Sequence, residues 1–262
     1  MSKDISLFSL VLTLLLLLIP LAFNYYLRLD IGRKTVIAAS RMFLQLFLIG
    51  FFLKYIFELN LVWLNLLWLA VMLVVSTVSV VNSCSLQLKI FGCPVLLSVG
   101  FPVILVLFYF NFFIIRLGNI FDAKYLIAIG GMLLGNLLNG NIVGLNNFLN
   151  NVRKTEKKYL ANLALGADKR EALLADLRES IRASINPTIA SMATMGLVSL
   201  PGMMTGQILG GTSPAVAVKY QMAIMIAIFV TRILSIFIAL MMTLRVGFDE
   251  FDLLRKDIFR RC

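Results

Sequence analysis

Apolar runs, each about as long as a bilayer is thick, separate almost every group of charges in this 262-residue chain from the next. A helix of about 20 apolar residues crosses the ~30 Å hydrocarbon layer. Inside that layer only helices and closed barrels satisfy every backbone amide and carbonyl. Charged residues make up 14% of the chain, against about 25% in a typical soluble domain, so little is left for a domain outside the membrane. The pattern predicts an all-α integral membrane protein with about seven spans: residues 5–27, 36–57, 61–81, 95–115, 125–148, 186–209 and 215–244. Residues 1–262 then form one transmembrane domain. The first run is read as a span and not as a cleaved leader, because its charged flank is only Lys3 beside Asp4 and no small-residue cleavage site follows it.

The basic residues orient the spans. The loops after spans one, three and five, with the segment after span seven, carry 18 Lys and Arg; the other side carries 5, and Arg232 lies within span seven. The richer side is expected in the cytoplasm, which puts the N-terminus outside and the C-terminus inside. The net charge of +11 is then a topology signal, and no nucleic-acid surface is expected because no basic domain stands apart from the membrane. Cys84, Cys93 and Cys262 all fall on the reducing side and are expected as free thiols, Cys84 and Cys93 being the one soft-metal pair the spacing offers.

What the spans lack narrows the function. There is no histidine, which removes the commonest transition-metal ligand and the usual general base. The 13 acidic residues lie in loops, tails or span edges, with Glu58 nearest the core. Ion-coupled carriers place such groups inside the bilayer, and acid–base enzymes need them too, so both classes are disfavoured. No GxxxxGK[ST] stretch is present, so the chain has no phosphate-cradling loop of its own. It binds no cofactor in this reading, and energy for uphill transport must come from another subunit.

The longest polar stretch, about residues 150–185, reads as two short amphipathic helices. The first carries Leu160, Leu163 and Ala164 on one side and stops near Gly166. Asp168 then caps the second, with Glu171 three residues later completing a capping box. Leu174, Leu177, Ile181 and Ile185 make one apolar stripe. Periodicity fits two roles equally, a helix lying on the membrane surface and an element docking into a groove on a soluble partner.

The stretches LALGADKREALLADLRESIRASINPT and MGLVSLPGMMTGQILGGTSPAVAVKYQ, with SRMFLQLFLIGFFLKYIF and GGMLLGN upstream, resemble the FetB-type permease family of ABC transporters, associated with iron export. The likeness covers spans two to seven. The 150–185 segment also resembles, more loosely, the cytoplasmic loop through which bacterial permeases contact their ATPases, although YLANLALG lacks its two glutamate-alanine positions. The resemblance implies a half-transporter of the bacterial inner membrane: two copies of this chain pairing with two of a separate ABC ATPase that uses the ATP. Leu163, Leu165, Gly166, Ala167 and Asp168 would make that contact. Related plant aluminium-tolerance proteins, linked to nucleotide-sugar export, make UDP-glucose the alternative cargo. A membrane scaffold that transports nothing is a further alternative.

Candidate pathway residues are the polar and broken features of the last three spans. Pro201 and Gly202 interrupt span six, and broken membrane helices often mark transport sites. Thr188, Met192, Met195 and Ser199 share a stripe; thioethers suit soft ions and also fill cores. Asn136, Asn139, Asn146 or Asn147, and Asn150 fall near one face of span five, and Gly131, Gly135, Gly140 and Gly144 form close-packing pairs, as do Gly202, Gly206 and Gly210. Gln45, Asn82, Gln207 and Gln221 are further uncharged candidates. Arg232 is the one full charge well inside a span, and it should not face lipid. No metal ligand set can be named.

Overall fold

The computed structural model describes residues 6–259; Lys3, Arg260, Arg261 and Cys262, used in the charge and cysteine readings, lie outside them. Helices α1 (Leu7–Leu15), α2 (Leu18–Leu27), α3 (Gly32–Leu59), α4 (Val62–Ser83), α5 (Leu88–Tyr109), α6 (Ala123–Lys154), α7 (Glu156–Ala164), α8 (Lys169–Ala172), α9 (Leu174–Thr194), α10 (Gly202–Leu209) and α11 (Pro214–Val246) follow in order, with no strand among the described residues. Five of them, α3, α4, α5 with a π-helical extension to Ile114, α6 and α11, are long and apolar enough to cross a membrane. They match the second, third, fourth, fifth and seventh expected spans.

The first and sixth spans are broken. Span one splits at Leu16–Leu17 into α1 and α2, where the two amides turn to the carbonyls three residues back (3.2 and 3.0 Å). Pro20 explains the position: its ring excludes the carbonyl four residues earlier, that of Leu16. Span six was expected from residue 186, but its helix starts at Leu174, so the amphipathic stripe and the first half of the span are one continuous rod, α9. The break comes at Met195–Pro201, ahead of Gly202. Gly196 takes a left-handed φ of +84° and donates to the Ser199 carbonyl (3.0 Å), and Pro201 then opens α10 as its N-cap.

The body is built around α6, which packs against α4, α9 and α11, while α5 packs against α4 and α11. Val80, Val99, Phe148, Ile224, Ile236 and Leu240 are fully enclosed there. Helix α3 stands apart from this body. Toward its C-terminal end Ile56 packs with Ala123 and Ile127, and Phe52 lies against Trp68. There Asn60 Oδ1 accepts from the Ala123 amide (2.9 Å) and from Asn65 Nδ2 (3.2 Å). Asp122 caps α6 through the Lys124 amide (3.0 Å), and Arg153 and Lys154 close its other end, where cations favour the helix dipole.

Residues after α11 fold back over the basic end of the bundle. Phe248 and Ile258 are buried, the Gln87 amide donates to the Ile258 carbonyl (2.8 Å), and the Tyr159 hydroxyl donates to the Asp252 carbonyl (2.7 Å). Burial, then the carboxylates of Asp252, Asp168 and Asp249, push the Tyr159 phenol up to about 12. Its pKa is raised above the unfolded value near 10, so its contribution to stability is whole below about pH 10 and is lost as pH climbs toward 12. Thermal unfolding in detergent is therefore expected to drop in that window, and Tyr159→Phe should flatten the drop. An unchanged slope in the variant would place the alkaline sensitivity elsewhere.

Candidate functional site

A buried polar seam runs along the contact of α6, α9 and α11. Two glycines make it possible. A Cβ on Gly140 would fall 2.9 Å from Arg232 Cγ, and one on Gly144 would fall 2.8 Å from Ile236 Cγ1, so only glycine lets α11 approach α6 this closely. Across the seam Ser184 Oγ donates to the Gly140 carbonyl (2.9 Å), Asn141 Nδ2 donates to Ser235 Oγ (2.7 Å), and Arg232 Nη1 donates to Thr188 Oγ1 (2.5 Å). Toward the basic end Ser180 Oγ and Asn151 Nδ2 both donate to Asn147 Oδ1 (3.1 Å each).

The seam is only partly satisfied. Arg232 Nε, Asn141 Oδ1 and Gln221 Oε1 are enclosed without a protein partner, and buried polar atoms are nearly always paired, with protein or with water. No carboxylate balances Arg232: α6 and α11 contain no Asp or Glu, and the ion pairs among the described residues are Lys169–Asp252 and Arg255–Asp257. No group of three or more His, Cys, Asp or Glu comes together among the described residues. Cys84 is buried with its Sγ 3.9 Å from the Ile142 carbonyl, while Cys93 is exposed.

The expected pathway residues divide into three sets. Arg232 and Gln221 are buried on α11, and Gln221 Nε2 lies 3.9 Å from Met195 Sδ beside the break in span six. Pro201 and Gln207 are half-buried at α10, the Gln207 Oε1 enclosed without a partner, while Gly202 is exposed. Asn136 and Asn139 share a face of α6 as expected, but that face is exposed, and Met192 on α9 is exposed too. The buried amide is instead Asn141. The sequence carried a signal for it and its neighbours: Ser180, Ser184 and Thr188 recur every fourth residue along α9, and Ser235 follows Arg232 by three.

At the basic end, α7 closes in the turn expected from Gly166. That glycine has φ +92° and donates to the Leu163 carbonyl (2.9 Å), and the Ala167 amide reaches Asn162 (3.1 Å). Only a residue free of Cβ strain holds this conformation easily. Leu163 packs inward against the core, and Leu165 is thrown outward, 86% exposed. Asp168 and Glu171 form the expected capping box, with the Asp168 amide 3.3 Å from Glu171 Oε2. Within the stripe Leu177 and Ile185 are buried and Leu174 is exposed. In α7 Tyr159 is buried beside the half-buried Leu163, while Leu160 and Ala164 face out.

Comparison with known proteins agrees with this architecture. The model of the uncharacterised protein family UPF0014 matches residues 7–248. A protein of Escherichia coli (strain K12) named "probable iron export permease protein FetB" is 31% identical over 95% of each chain. A UPF0014 membrane protein of Synechocystis is 33% identical over 76% of each. The protein ALUMINUM SENSITIVE 3 of Arabidopsis thaliana is 30% identical over 81% of this chain and 76% of its own. No solved structure matches the chain. Coverage of nearly the whole chain by one family model, with relatives at this level of identity, makes it a membrane protein of the UPF0014 family.

Proposed function

We propose that this chain is the permease subunit of an ABC-type exporter, driven by a separate ATPase subunit, and that its cargo is iron. The observation that carries the reading is the continuity of α9. One rod of 21 residues, about 31 Å long at 1.5 Å per residue, follows the exposed Leu165 turn after the short helix α8 and carries Ser180, Ser184 and Thr188 into the polar seam. A push on the turn is thereby a displacement of Thr188 against Arg232. The basic end is cytoplasmic in this reading, the N-terminus is outside, and the protein resides in the inner membrane of a bacterium.

Two copies form the pathway. Asn136 and Asn139 are exposed amides on a membrane-length helix, and polar groups at that depth face protein or a watery cavity. A second copy meeting this face gives them one. Iron as cargo rests on the Escherichia coli relative. The test is ATP-dependent uptake of ferrous iron into inside-out vesicles holding the chain with and without its ATPase. Uptake requiring both is the expected result; uptake that ignores the ATPase sinks the coupling.

A second reading of the cargo has its own observation. Bare Fe²⁺ favours nitrogen and oxygen donors and negative charge, whereas the seam presents a guanidinium with no carboxylate beside it. That chemistry suits an anion, such as the diphosphate of a nucleotide sugar. Labelled UDP-glucose entering the same vesicles while iron does not would select this reading and leave the ATP-driven permease standing.

A further inference from the structure

The segment following α11 is a hydrogen-bonded hairpin. Phe248 and Leu254 pair across it, and the Arg255 amide returns to the Gly247 carbonyl (3.0 Å). Asp249 Oδ1 accepts from the Phe251 and Leu253 amides (3.0 and 2.8 Å). The base of the hairpin is locked to the bundle: Phe248 is buried against Tyr159 at 6.0 Å between rings, and the Arg153 guanidinium lies 3.4 Å over the Phe259 ring. At the tip of this anchored structure Phe251 is 81% exposed. Asp252, the next residue, pairs with Lys169, four residues past Leu165. The ion pair thus ties together the two segments that carry the exposed Leu165 and Phe251.

We infer that Phe251 and Leu165 form a two-point docking surface for the soluble ATPase subunit, with Phe251 entering an apolar pocket that has a basic rim. The inference rests on the ATPase reading above and adds a second contact to it. Charge chooses the occupant. Phe251 sits in the run Asp249-Glu250-Phe251-Asp252; with Asp252 paired to Lys169, the carboxylates of Asp249 and Glu250 flank the ring on an end otherwise rich in Lys and Arg. An aromatic anchored in the membrane surface is accompanied by basic residues, because the cytoplasmic leaflet is anionic; these carboxylates are repelled from it. A soluble protein surface of opposite sign accepts them.

The test is binding of the purified ATPase subunit to the full chain in detergent, for wild type, Phe251→Ser, Phe251→Trp and Leu165→Asp. Phe251→Ser is expected to weaken binding about 10-fold or more, as a central aromatic anchor does, with Phe251→Trp near wild type. The thermal unfolding of the permease alone should not move, since the side chain is exposed. Full affinity in Phe251→Ser, with loss in Leu165→Asp, overturns the hairpin contact and leaves the ATPase reading intact. Full affinity in both variants overturns both. Should Phe251→Ser keep the ATPase and instead lose binding of the chain, held in nanodiscs of neutral lipid, to added anionic lipid vesicles, the hairpin is a membrane anchor and the inference fails.

Discussion

Replacing Arg232 by methionine is expected to leave the protein folded, at equal or higher thermal stability, while export falls by one to two orders of magnitude. The two halves of that result have one cause. A guanidinium enclosed at 8% exposure in a membrane span, with a threonine hydroxyl as its hydrogen-bond partner and no carboxylate, is a desolvated charge without a counter-ion. Such a charge costs several kcal/mol after relaxation, and methionine fills similar space without that cost. Stability alone therefore argues against an arginine here, and under the nucleotide-sugar reading of the cargo an anion visiting the seam supplies the missing partner. A charge-assisted hydrogen bond contributes about 1.5–3 kcal/mol, which is roughly a 10- to 150-fold change in binding. Arg232→Lys keeps the charge but not the planar fork and should fall between. The measurement is ATP-dependent vesicle transport beside thermal unfolding. Wild-type export by Arg232→Met removes Arg232 from the pathway, and a drop in stability without a transport defect makes it a structural residue.

The residues legible in the sequence were those whose local chemistry is self-sufficient. Five spans, the Gly166 stop and the Asp168–Glu171 capping box follow from length, φ preference and side-chain reach, each decided within a few residues. Features that depend on a neighbour were not. The asparagines of α6 do share a face, but which face turns inward is set by Gly140 and Gly144, where α11 comes too close for any Cβ; that choice buries Asn141 and leaves Asn136 and Asn139 outside. Helix α9 crosses what hydropathy divides into a polar loop and a span, because its charged first turns sit at the basic end while its hydroxyls are buried by α6. Tyr159 is inward because a segment roughly 90 residues later folds over it, a contact that no local pattern encodes.

Coupling should fail in Gly166→Arg even though the seam is untouched. At φ +92° a side chain costs about 1–2 kcal/mol, and the arginine would project into open space, since a Cβ on Gly166 meets nothing within 4 Å. Under the proposed coupling, that open space is where the ATPase subunit docks. Gly166→Ala carries the same backbone strain with almost none of the bulk, so the pair separates distortion of the turn from obstruction of the partner. The expected order is wild type, then Gly166→Ala slightly weaker, then Gly166→Arg with ATPase co-purification and ATP-driven export both lost. If Gly166→Ala is as damaging as Gly166→Arg, the turn acts by its conformation, holding Leu165 outward. If Gly166→Arg co-purifies and exports normally, residues 163–168 are not where the ATPase binds. In that case α9 loses its role as the lever between hydrolysis and the Thr188–Arg232 contact, because nothing would push on its basic end.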